Sequence, residues 1–400
     1  MKHSSIKFKE AFSLPLRNGL TKPSKVRGSG VPMVNMKEIF AYNKIYDDTP
    51  MELVPVTDKE LENTSLEYGD LLFARQSLTE EGAGKICIYK GHQTKVFESH
   101  LIRCRLDTNR FDSDYFYYFF SSTTGKALVS TIVQQTAAAG IRGSDLQELE
   151  IPVPTLPEQK AIASVLSSLD DKIDLLHRQN KTLEAMAETL FRQWFIEEAK
   201  EDWDDLLVRD IAVHIKDNVN PSKNPLETFY HYSLPAFDSG EKPTIEVGSD
   251  ILSNKYRVAE NSILVSKLNP RVPRIWLLAN VEDNYVCSTE FQNLKPKVAS
   301  HLMFLYCLFK SRDVIDELTM SASGTSSSHQ RVKPQDMLNI SFKTPSLDYL
   351  EEYSLLIAPS MQKVLSNKQQ IQTLEQLRDT LLPKLMSGEV RIQYQTEEVA

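Results

Sequence analysis

From Ile162 to Trp194 the chain reads IASVLSSLDDKIDLLHRQNKTLEAMAETLFRQW. Its apolar residues fall at Ile162, Leu166, Leu169, Ile173, Leu176, Leu183, Ala187, Leu190 and Trp194, and Asn180 fills the remaining place in the series. The steps alternate four and three, the period of a heptad seam. A buried amide at Asn180 would cost stability there but fix register and partner orientation. The spacing predicts a helix from just after Pro157, with Glu158 near the positive end of its dipole, to about Glu198. That is roughly 40 residues, or about 60 Å. A helix so long needs a second one beside it.

The C-terminal region supplies the second. Tyr353, Ile357, Val364, Ile371, Leu374, Leu381 and Leu385 continue the alternation, with Ser360, Asn367 and Arg378 as polar interruptions. Pro383 and Gly388 are expected to end it. The two seams are related by an offset of 191 residues, which carries Ile173 to Val364, Leu183 to Leu374 and Trp194 to Leu385. Upstream the same offset carries Asp145-Leu146 to Asp336-Met337 and Pro154 to Pro345, and one further residue aligns Gly69–Arg75 with Asn261–Lys267. Two unrelated helices would not predict matching upstream segments. The chain reads as a duplication of a mixed α/β half followed by a long helix: 1–156, 157–200, 201–346 and 347–388, with a tail at 389–400. Ile86–Tyr89 and Ile275–Leu278 read as buried strands. Tyr115–Phe120 and Met303–Phe309 read as aromatic core helices.

The 400 residues are 41% hydrophobic and 25% charged, which excludes a disordered or fibrous chain. Cys87, Cys104, Cys287 and Cys307 form no C-x-x-C pair, so reduced thiols in a cytoplasmic protein are expected. No signal peptide or membrane span is expected. The net charge of −8 is unevenly spread: residues 157–205 carry −6 and 347–400 carry −3, while the two globular halves are near neutral. Whole-chain acidity therefore does not exclude a polyanionic partner.

No catalytic apparatus is legible. Gly82-Ala83-Gly84-Lys85 lacks P-loop spacing and reads as a turn. None of Asn220-Pro221, Asn224-Pro225 and Asn269-Pro270 carries the second proline of an amino-methyltransferase turn, and the eight histidines form no zinc array. Basic and amide-rich loops do stand out. Residues 1–37 hold Lys2, Lys7, Lys9, Arg17, Lys22, Lys25, Arg27 and Lys37 against Glu10 alone, and Lys255, Arg257, Lys267, Arg271 and Arg274 face only Glu260. Such density suits phosphate binding, and arginine can also grip guanine. A second cluster precedes each helix: Gln134, Gln135 and Arg142 in the first half, and Thr325, Ser326, His329, Gln330, Arg331 and Lys333 in the second. These side chains can bind phosphates or base edges, although a polar linker has the same composition.

The segment Ile151-Pro152-Val153-Pro154-Thr155-Leu156-Pro157-Glu158-Gln159-Lys160-Ala161-Ile162-Ala163, continuing to Leu190-Phe191-Arg192-Gln193-Trp194-Phe195, resembles the central spacer of type I restriction–modification specificity subunits. Leu374–Gly388 resembles their C-terminal spacer, and Gly69–Arg75 and Ser262–Arg271 resemble their target-recognition domains. The resemblance implies an α+β chain with two similar target-recognition domains joined by two long helices packed as an antiparallel coiled coil. Each domain would read half of a bipartite, asymmetric double-stranded DNA target. The DNA-facing set would then be Arg17, Lys22, Lys25, Arg27, Arg75, Gln76, Gln134, Gln135, Arg142, Lys267, Asn269, Arg271, Arg274, Thr325, Ser326, His329, Gln330, Arg331 and Lys333. No cofactor or metal is expected in this chain. S-adenosylmethionine, ATP and Mg would serve its partners, two modification subunits and the restriction subunits. The other reading is a DNA-modifying enzyme with a divergent active site.

Overall fold

The computed structural model describes residues 4–79, 82–135, 139–278, 281–323 and 330–392. It contains two compact units, residues 1–175 with 370–400, and residues 176–369. The divisions fall within the two long helices, so each unit holds one globular half and a stretch of both.

In the first unit a five-stranded sheet runs in the order Arg17–Asn18, Leu101–Cys104, Leu71–Ala74, Ile86–Tyr89 and Lys44–Ile45. All its neighbours are antiparallel except the last pair. Leu71–Ala74 and Ile86–Tyr89 are wholly buried. That burial explains their unbroken apolar sequence, since a strand covered on both faces has no polar side to alternate with. The helices Ser113–Ser121 and Thr123–Ser130 follow, and the first buries Tyr115 to Phe120 without a break. Ser4–Lys7 closes the unit by pairing antiparallel with Glu150–Val153, Ile6 opposite Ile151.

The second unit repeats this plan. Its sheet runs Ala212–Ile215, Phe291–Pro296, Ser262–Ser266 and Ile275–Leu278, all antiparallel. The helices Leu302–Lys310 and Arg312–Ser321 follow. Asp204–Leu207 pairs with Ser341–Thr344, the strand that stands 191 residues after Glu150–Val153. Each half also has a second sheet in which one strand lies antiparallel to one neighbour and parallel to another, later in the chain. In the first half Val31–Val34 does so, and in the second Thr228–Tyr232. The second half extends that sheet through Lys255–Arg257 and Asn218–Val219.

The long helices span Leu156–Arg192 and Leu347–Met386, their first residues again 191 apart. The chain is thus α+β, with two similar halves joined by two long helices. The pairing is antiparallel in both units. In the second, Trp194 stacks on Tyr349 at 4.8 Å, Tyr353 donates to the Ala187 carbonyl at 2.8 Å, and Asn180 meets Asn367. In the first, Asp170 pairs with Arg378, and Ile162 and Leu166 share a core with Leu385.

Three expectations need correction. The central α-helix does not reach Glu198: it gives way after Arg192 to a wider π-helical turn, Gln193–Glu197, which packs Phe195 against Phe304 and Tyr353. Pro383 does not end the C-terminal helix, which continues to Met386. The proline lacks one N–H, but its own carbonyl still accepts from Ser387, and Gly388, at φ +72°, supplies the left-handed end. On that helix the buried position is Met361 rather than Ser360, because the seam steps by four twice in succession from Tyr353 through Ile357.

Candidate nucleic-acid interface

In the first half the cluster before the helix is joined by backbone pairing to the segment that carries Arg75 and Gln76. Ile141 N–H donates to the Arg75 carbonyl at 2.9 Å. The strands Gln134–Gln135, Ala139–Gly140 and Gln76–Ser77 form a small antiparallel sheet beside this bond. Arg17, Arg75 and Arg142 thereby line one shallow concavity of about 230 Å³ together with Asn18, Ser144 and Gln147. All three arginines are exposed. Arg17 spends one N–H on Asn63. Three guanidinium groups lining one hollow raise the local potential, and their planar forks suit phosphate oxygens and guanine edges.

The other first-half cations are placed differently. Lys22 is paired with Glu60 at 2.8 Å, and Arg27 with Glu52 at 2.5 Å, besides donating to Asn35 and to the Lys22 carbonyl. Lys25 is exposed. Gln76 and Gln134 are exposed on the small sheet; for Gln135 only the backbone pairing is described.

The second half rebuilds the core of this arrangement. Val332 N–H donates to the Lys267 carbonyl at 2.9 Å, the counterpart of the Ile141–Arg75 bond. Lys333, the counterpart of Arg142, stands exposed before the helix Pro334–Leu338 as Arg142 stands before Gly143–Gln147. Lys267 is half-buried; burial lowers its pKa, Glu290 opposes this, and Lys216 and Arg331 add to it. Lys216 follows the outer strand Ala212–Ile215. Burial, then Lys216 and Lys267, push the His214 imidazole down to about 4, so it is neutral at physiological pH. Arg274 and Arg331 are bound in two-pronged ion pairs to Asp238 and Glu290. Arg271 is exposed. Asn269 adopts a left-handed φ of +48° and donates its N–H to the Gln330 carbonyl; the side-chain oxygens of both are buried without a partner. Thr325, Ser326 and His329 lie outside the described residues.

Residues 13–185 match the family model described as the type I restriction modification DNA specificity domain. Along most of its length the chain is similar to the specificity subunit of the type I restriction enzyme MjaIX of Methanocaldococcus jannaschii. The two are 26% identical, with 94% of this chain and 91% of that one covered. The EcoKI specificity subunit of Escherichia coli is 28% identical over 172 residues, 42% of this chain and 37% of that one. Residues 13–185 thus carry a type I restriction–modification specificity domain. In fold it is similar to a crystal structure of the S subunit of such a system from M. genitalium, with a TM-score of 0.63, 16% identity, and 98% and 96% of the two chains covered.

The helix seam is largely interior. Ile162, Leu166, Ile173, Leu176, Asn180, Val364, Ile371 and Leu385 are buried; Leu169, Leu183, Leu190, Trp194, Leu374 and Leu381 are half-buried. Charged clamps bind each globular half to its stretch of helix pair. Asp170 accepts from Tyr118 at 2.7 Å, Lys44 at 3.0 Å and Arg378 at 3.1 Å. Burial works to raise its carboxyl, but these partners outweigh it and hold the pKa below the usual value. In the other unit Glu184 pairs with Lys310 at 2.8 Å, and Lys368 reaches Glu241 at 2.5 Å.

Sequence reading missed Asn18, Ser144, Gln147 and Lys216 as site residues, along with both clamps. Lys216 was not legible from the 191-residue repeat, which sets it against Lys25 rather than against the outer strand that holds Arg17. Nor were the clamps, because partners such as Lys44 and Asp170 lie more than a hundred residues apart. Among the described residues, no group of three or more histidines, cysteines and carboxylates is placed to hold a metal ion, and no helix is long and apolar enough to cross a membrane.

Proposed function

We propose that this chain is the non-catalytic DNA-reading subunit of a type I restriction–modification complex, each half reading one part of a bipartite target. The observation that carries this is the recurrence of one cation pair on one backbone bond, Arg75 with Arg142 in the first half and Lys267 with Lys333 in the second, with Arg17 beside the first pair and Lys216 near Lys267 in the second. A structural scaffold has no need of it. The exposed cations among them, Arg17, Arg75, Arg142, Lys216 and Lys333, supply phosphate affinity, while the adjoining amides supply contacts to base edges. The helices offer their outer faces to two modification subunits. Methyl transfer from S-adenosylmethionine belongs to those subunits, and ATP- and Mg-dependent cleavage to the restriction subunits, all in the cytoplasm.

The test is reconstitution. The chain alone should neither methylate nor cut DNA, and with its modification subunits it should direct methylation to one two-part motif. Methyl transfer by the lone chain, or motif-free methylation by the complex, rejects the assignment.

A further inference from the structure

The small sheet of the first half sets two glutamines on either side of a glycine. Gln134 lies directly opposite Gly140, and Gly140 directly opposite Gln76. Residues paired in this way point to the same face, with strands about 4.8 Å apart. The two glutamine backbones therefore stand about 10 Å apart across a position with no side chain. Both glutamines are exposed. A Cβ on Gly140 would come 3.1 Å from the Arg75 carbonyl oxygen and 3.5 Å from Gln76 Cγ, so any side chain there would crowd the space between them.

Each amide is turned by a neighbour. His100 Nδ1 lies 3.1 Å from Gln76 Oε1. A carbonyl oxygen only accepts, so Nδ1 carries the hydrogen and the Gln76 amine is left to donate outward. Gln134 Nε2 donates to Asp145 Oδ2 at 3.3 Å, which leaves the Gln134 carbonyl free to accept. One side of the gap thus offers a donor and the other an acceptor. Adenine presents the complement on its major-groove edge, the acceptor N7 beside the N6 amine. Guanine offers two acceptors there, and cytosine or thymine one polar group each, so each of them leaves an amide unmatched.

We infer that Gln76 and Gln134 read one adenine seated over Gly140, with His100 and Asp145 as positioning residues. This rests on the DNA-reading assignment and deepens it by naming the base. The complex with modification subunits is used throughout. Its motif is first read from methylated DNA, and duplexes then carry 7-deazaadenine (no N7) or unsubstituted purine (no N6 amine) at each adenine in turn. At one adenine both analogues weaken binding by about tenfold to a hundredfold. Gln76→Ala removes the penalty for 7-deazaadenine alone and Gln134→Ala the penalty for purine alone, while the other half of the motif is unchanged. Asp145→Ala lowers discrimination at that adenine, and Asp145→Asn, which keeps an acceptor, retains it. A selective complex whose discrimination at every adenine survives both glutamine substitutions overturns the inference and leaves the DNA-reading assignment standing. A complex without sequence preference overturns both.

Discussion

Asn367 Nδ2 donates to Asn180 Oδ1 across the helix pair at 2.8 Å, and both side chains are almost fully buried. The second Asn367 amide atom, Oδ1, is buried without a partner. The pair therefore makes one good bond at the cost of an unsatisfied acceptor, a poor bargain for stability alone. Its use is register, since any slip along the seam would bury both amides unpaired. Leucine matches asparagine in shape. Asn367→Leu or Asn180→Leu alone should destabilise by about 1–3 kcal/mol, whereas the double substitution should be near neutral. Urea unfolding of the four proteins gives the coupling, and additive losses would show that the bond does not couple the helices.

Asp170 offers a contrasting case. Its carboxylate is the counter-charge of Lys44, a lysine only 7% exposed. Asp170→Asn preserves shape but leaves that ammonium only the longer pairing with the exposed Asp171, at 3.9 Å, so a loss of about 2–4 kcal/mol is expected. Adding Lys44→Met should recover most of it. The pH dependence has a definite sign. A carboxyl held below its unfolded value of 3.8 adds stability that is complete above that pH and is lost on acidification below it. The Asp170→Asn protein should lack this component in acid-unfolding curves.

These two sites show what a sequence does and does not display. Asn180 was visible because its neighbours at steps of four and three are apolar, and a helical seam repeats locally. Asp170 was not, because its partners come from a distant strand, a distant aromatic helix and the far end of the chain. The Met361 seam position was missed for a milder reason: a strict four-three alternation was imposed where the helix takes two fours. In the candidate interface, charge density singled out Lys22 and Arg27 as readily as Arg17. Only the fold separates cations bound to Glu60 and Glu52 from cations left exposed.

That separation is measurable in DNA binding. Arg142→Ala and Lys333→Ala each remove an exposed cation from corresponding places. Each should weaken the complex's affinity and lower the slope of log affinity against log salt by about one if the group meets a phosphate. A base contact would instead cost about 1–3 kcal/mol at one position of the motif. Lys22→Ala should change affinity and slope little and register in melting temperature. Equal losses from all three would mean that the ion pairs open on DNA.

His214 gives the last test. Its imidazole is held neutral first by burial and then by Lys216 and Lys267, and its Nε2 has no partner. Between the unfolded value of 6.5 and about 4 in the folded protein, the unfolded chain binds the extra proton. By linkage, stability must then fall as pH drops through that window, and the contribution is absent above it. His214→Gln removes the titrating group, so the difference in unfolding free energy between wild type and variant should be flat above pH 6.5 and shift in the variant's favour toward pH 4. Lys216→Ala should shrink the same slope, because it removes one of the charges opposing protonation. A difference independent of pH would mean that the imidazole is free to protonate, and that the second-half cations do not gather around it.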